Sequence, residues 1–155
     1  MAALQPSEPQ AGKAGRSAGR PVLLATLDVP FDHDAVVFAV DSAVEAGQPL
    51  IVANFTERAP LPLSAMLGCE DLPYTDEMER SLAAPARLAA QLGVAVTRMR
   101  VRSFHPVAAM LQVLAEEGAG IFVFGPDRAC LPRLRYRRAA RAIRSRATSL
   151  VWLAR

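Results

Sequence analysis

Lysine is nearly missing from this chain: Lys13 is the single one among 18 basic residues, and the rest are arginine. A Walker-type phosphate loop needs a lysine directly after its second glycine, and Lys13 sits in an opening rich in Ala, Gly, Ser and Pro, so that nucleotide-hydrolase class is excluded. Arginine in place of lysine throughout reads first as a GC-rich coding bias. Cysteine is scarce as well. Cys69 and Cys130 are far apart and form no CxxC spacing, which excludes a disulfide framework or a zinc knuckle and fits free thiols in a reducing compartment. No apolar run approaches the roughly 20 residues of a membrane span, and the first 20 residues lack the apolar centre of a signal peptide. A cytoplasmic protein is expected. No GxSxG elbow is present, so the sequence carries no nucleophile signature and does not point to an enzyme. Acidic residues, finally, are absent from Arg128 to Arg155, where nine of the 18 basic residues lie. The net charge of +3 hides that asymmetry.

What is present is enough apolar residue, 52% of 155, for one domain with a sizeable core. Residues 1–20 show no periodicity and are expected to be a disordered tail, with the domain spanning 21–155. Val22 to Leu27 is a continuous apolar strand closed by Asp28. Asp34 to Gly47 carries Val36, Val37, Val40, Ala43 and Val44 at helical spacing. A second strand runs from Pro49 to Phe55, and a long loop, 56–74, follows; with Leu61, Leu63, Met66 and Leu67 it reads equally as a lid over the sheet end or as core. Thr75 or Asp76 then caps a helix in which Pro85 is expected to force a kink. Val94 to Val101 alternates with arginines, as an outer strand does. Pro106 suits the first position of a helix that runs to Glu117 and is closed by Gly118.

Ile121 to Gly125 is the stretch around which the rest is arranged. A short apolar run between Gly120 and Gly125 has the pattern of a strand buried on both faces in a parallel sheet. Glycine at its end lets a ligand approach the backbone, and open α/β sheets bind ligands beyond the carboxyl ends of their strands. Gly125 therefore marks the expected site. A helix from about Pro132 to Ala147 and a strand from Ser149 to Leu153 complete a βα alternation that predicts a single-domain, five-stranded, parallel, Rossmann-like sheet flanked by helices.

The strand ending in Asp28, the segment HPVAAMLQVLAEEGAGIFVFG (105–125) and the closing SLVWLAR resemble the universal stress protein family over most of the chain. That resemblance implies neighbouring first and fourth strands, with Asp28 and Gly125 facing one another across the crevice between them. It implies a role in stress response, an adenine nucleotide such as ATP as ligand, and a homodimer formed through the C-terminal strand. ATP-binding members resemble one another in a motif of a glycine, two residues, a glycine, nine residues, and a glycine followed by serine or threonine. Laid from Gly125, that motif meets Arg128, Arg138 and Ala139. Side chains there block the approach of phosphate to backbone N–H groups, so the nucleotide site reads as degenerate. The alternative is a nucleotide site in which arginines grip phosphate by bidentate hydrogen bonds. The candidate binding residues are Asp28, Phe55, Gly125, Arg128, Arg138 and Ala139, with Asp28 read either as contacting adenine or ribose or as a turn cap. No catalytic residue is nominated.

Two other groupings have plain structural readings. Asp32, His33, Asp34 and Asp41 suit a helix start better than a metal site. Along the last helix, Tyr136, Ala139, Ala140, Ile143 and Ala147 share one face and Arg133, Arg137, Arg141 and Arg144 another. That second face is read as solvated, with arginine stems packed along the sheet. The alternative is nucleic acid, against which count the missing interleaved aromatics and the missing recognition motif.

Overall fold

A computed structural model describes residues 19–58 and 76–154. The residue stretches 1–18 and 59–75, and with them most of the expected tail, most of the 56–74 loop and Cys69, lie outside the described residues.

Among the described residues five parallel strands and four helices alternate: β1 (Val22–Leu27), α1 (His33–Ala46), β2 (Leu50–Glu57), α2 (Asp76–Gln91), β3 (Val96–Ser103), α3 (Pro106–Glu117), β4 (Ile121–Phe124), α4 (Arg133–Arg146) and β5 (Leu150–Leu153). The sheet order is β3-β2-β1-β4-β5. Strand order reverses between β1 and β4, where Val22 to Ala25 pair with Ile121 to Phe124. This switch point opens a crevice at the strands' carboxyl ends.

The hydrophobic periods explain the layers. Alternate residues of β1, Leu23, Ala25 and Leu27, pack with Met110 and Leu114 of α3 and with Tyr136, Ala139, Ala140 and Ile143 of α4. The intervening Val22 and Leu24 pack with Ala35, Ala39, Val40 and Ala43 of α1 and Leu82 and Ala89 of α2. A strand buried on both faces must be apolar at every position, and every residue of β1 is buried. β3 lies at one edge with its alternating pattern half exposed, and β5 lies at the other.

Local signals set most boundaries. Asp32 caps α1 by accepting a hydrogen bond from the Ala35 N–H at 3.0 Å, Asp34 lies in the first turn where the macrodipole favours an acid, and His33 is exposed. α3 begins at Pro106 and closes on Gly118, as its sequence predicts. Two strands end later than their composition suggests: β3 spans Val96–Ser103 where the alternation predicts Val94 to Val101, and β2 spans Leu50–Glu57. β2 continues through Thr56 and Glu57 because both pair with Arg102 and Ser103 of β3, so the following loop starts later than its composition suggests. α2 runs as one helix with Pro85 inside it. Proline withholds the donor that the Ser81 carbonyl would receive, and the Ser81 hydroxyl accepts a bond from the Phe31 N–H at 3.3 Å.

Candidate functional site

The crevice is built from the ends of β1, β2 and β4, the loop after β4, and the start of α4. Asp28 follows β1 in the left-handed region, at φ 53°, where aspartate is among the few non-glycine residues tolerated. Three interactions hold it there. Its N–H donates to Asn54 Oδ1 at 3.2 Å, its carboxylate accepts from the Glu57 N–H at 3.1 Å, and Arg135 Nη2 donates to the same carboxylate oxygen at 3.2 Å. Arg135 also reaches Glu57 Oε2 at 3.2 Å. One guanidinium from α4 thus bridges the carboxylates at the ends of β1 and β2; Arg135 and Asp28 are part-buried and Glu57 is exposed.

Gly125 lies where the sequence expects it, at the end of β4, but for a different physical reason. A Cβ built on Gly125 would fall 2.2 Å from the Cβ of Ala35, so the missing side chain makes room for α1. Its backbone groups are committed too: its N–H donates to Ala25 O at 3.0 Å and its carbonyl accepts from the Asp32 N–H at 2.9 Å. Down the loop the same holds. The Asp127 N–H donates to Pro30 O at 2.8 Å, and the N–H groups of Cys130 and Leu131 donate to Asp127 O, both at 3.1 Å. The Asp127 carboxylate accepts from the Ala129 N–H at 2.9 Å. Where a phosphate loop offers free N–H groups to an anion, this loop has supplied its own carboxylate.

The remaining candidates are not brought to the crevice. Phe55 is fully buried beside Leu27 and Val101, whose registers it shares. Its apolar ring belongs to the core and exposes nothing to a ligand. Ala139 is 2% exposed, in the second turn of α4, and packs in the core, because α4 begins at Arg133, ahead of the position a glycine–serine pair would need at the helix N-terminus. Arg138 beside it is exposed on the outer side of that helix. Arg128 turns toward the end of β5: its guanidinium lies 3.8 Å from the Tyr136 ring centroid, and Nη1 donates to Ala154 O at 3.5 Å. Tyr136 donates its hydroxyl to the same carbonyl and stacks on Phe124. Burial raises the Tyr136 phenol above its ordinary value, and the neighbouring Arg128 partly offsets this.

Three residues of this region were not singled out from the sequence: Arg135, Glu57 and Asn54. Asn54 had a visible signal, a fully buried polar side chain inside the apolar run IVANF; its Nδ2 has no partner among the described residues. Arg135 had none, since it is one arginine of many. Among the described residues no group of three or more His, Cys, Asp or Glu is arranged to hold a metal ion, and no helix is long and apolar enough to cross a membrane.

No protein-family profile and no curated protein sequence matches the chain. Solved structures do. The chain is similar to a universal stress protein family member from Burkholderia pseudomallei, with a TM-score of 0.60 at 16% identity, covering 86% of this chain and 94% of that one. It is similar to the universal stress protein from Archaeoglobus fulgidus in complex with dAMP, with a TM-score of 0.57 at 16% identity over 88% and 98% of the two chains. A universal stress protein in complex with cAMP matches with a TM-score of 0.56 at 16% identity over 90% and 99%. The fold is the universal stress protein fold, as the sequence resemblance implies.

Proposed function

We propose that this chain is a universal-stress-type binding and regulatory module, acting as a homodimer through β5, whose crevice has reduced or lost the capacity to hold a nucleotide triphosphate. The observation that carries this reading is the loop after β4. Of its backbone donors, those of Gly125, Asp127, Ala129, Cys130 and Leu131 are spent within the protein and Pro126 has none, which leaves the loop only the Arg128 N–H to offer an anion. A phosphate entering there would have to displace the Asp127 carboxylate from a hydrogen bond it already makes and would meet like charge. Arg135, which reaches the crevice, is engaged by Asp28 and Glu57.

The structures of this fold that hold dAMP and cAMP favour a second reading, an adenine nucleotide with a single phosphate gripped by Arg135. Titration calorimetry separates the two. The first reading expects no saturable heat from ATP with magnesium, AMP or cAMP up to millimolar concentration, in either the wild type or Arg135→Gln. Saturable wild-type binding that Arg135→Gln abolishes would establish the second and overturn the first.

A further inference from the structure

The outer face of α4 is the most strongly charged surface of the described chain. Arg133, Arg137, Arg138, Arg141, Arg144 and Arg146 are all exposed, and none has an ion pair or hydrogen bond among the described residues. At 100° per residue, Arg133, Arg137, Arg141 and Arg144 fall within about 80° of arc, a single stripe about 17 Å long. An open groove along it is lined by Arg137, Arg138, Arg141 and Arg144 together with Leu134 and, mostly buried, Tyr136.

This helix breaks two local rules of helix stability. Like charges stand four apart at Arg133, Arg137 and Arg141 and three apart at Arg141 and Arg144, each pair repelling. Its first turn holds Arg133 and Arg135 and no acid, opposing the macrodipole. Both costs fall when an external anion is bound. Sites where a sequence departs from its local preferences are where function is expected.

The chemistry selects the anion. A membrane surface requires an apolar helix face to insert, and the apolar face of α4 is buried against the sheet through Tyr136, Ala139, Ala140 and Ile143. A protein interface centres on buried aromatic or aliphatic anchors, and Leu134, 60% exposed, is the one large apolar side chain offered here. A regular row of guanidiniums suits a partner with charge of one sign repeated along its length, and the planar fork matches phosphate bidentately. We propose that the outer face of α4 binds a nucleic-acid phosphodiester backbone without regard to sequence, independently of the crevice. Tyr136, the helix's aromatic, is buried, so no base is stacked and no base edge is read.

The test is fluorescence anisotropy of a labelled 20-base-pair duplex titrated with the full chain at increasing salt. Four neutralised phosphates give a slope of log K against log salt of about −3.6, a loss of roughly 150-fold between 50 and 200 mM. The fourfold variant Arg133→Gln, Arg137→Gln, Arg141→Gln, Arg144→Gln should remove that binding while far-UV circular dichroism stays unchanged. Arg141→Gln alone should lower the slope by about 1. Absence of duplex binding at 50 mM salt, or a slope that neither variant changes, overturns the proposal. So does displacement of the duplex by an acidic peptide of matched charge at equal concentration, or retention on phosphatidylserine vesicles without duplex binding.

Discussion

Replacing Gly125 by alanine tests the physical role of the glycine at the end of β4. The new methyl would sit 2.2 Å from the Cβ of Ala35, whereas ordinary contacts begin at about 3.4 Å, so a separation of more than 1 Å must be created. Neither side yields easily. Ala35 is fully buried on α1, and Gly125 is tied by hydrogen bonds to Ala25 and Asp32. Overpacking of this kind costs about 1–3 kcal/mol, offset by about 0.4–1 kcal/mol from the stiffer unfolded chain. The net expectation is a loss of about 1–2 kcal/mol, or a fall in Tm of roughly 2–8 °C for a chain of this size. Urea unfolding followed by the fluorescence of Trp152, which stacks on Phe38 of α1 at 5.3 Å and so reports on that helix, measures it. The compensating change Ala35→Gly removes the opposing methyl. Alone it should cost about 1 kcal/mol as a helix glycine, but combined with Gly125→Ala it should recover stability, with a coupling energy of about 1 kcal/mol or more. If Gly125→Ala is as stable as the wild type, or if the two changes simply add, the glycine is not there to admit α1 and the reasoning fails.

Writing the glycine motif of the resembled family into this chain by Arg128→Gly, Arg138→Gly and Ala139→Ser is expected to weaken the fold and create no ATP affinity, since position 139 is in the core and 138 inside a helix; calorimetry and thermal melting read both outcomes. The proposed dimerisation through β5 is best probed at Leu150, which is 65% exposed, because Val151 packs against the protein's own core; Leu150→Lys should move the sedimentation coefficient toward that of a monomer. Burial favours the neutral Tyr136 phenol in the folded state, so above about pH 10 the unfolded chain gives up this proton first. Stability should therefore fall as pH rises past that value, and Tyr136→Phe should flatten the slope in urea midpoints taken from pH 8 to 11.

Much of this architecture is legible in the residues alone. Continuous apolar runs at Val22–Leu27 and Ile121–Phe124 can be satisfied only by burial on both faces. Helix ends at Asp32, Pro106 and Gly118 are written in local capping chemistry, and the basic outer face of α4 follows from a period of 3.6. These signals act between near neighbours, so the sequence carries them openly. The crevice is another matter. Arg135 meets Asp28 across 107 positions, and Gly125 meets Ala35 across 90, because β4 lies beside β1 and brings α1 and α4 over one strand end. No periodicity distinguishes Arg135 from the exposed arginines around it. The direction of Arg128 toward Tyr136, and the start of α4 ahead of the motif position, likewise depend on how the loop after β4 spends its hydrogen bonds. Local composition determines that strands and helices alternate; that the sheet opens a crevice between β1 and β4, and which side chains fill it, is decided by contacts that exist only once the strands have paired.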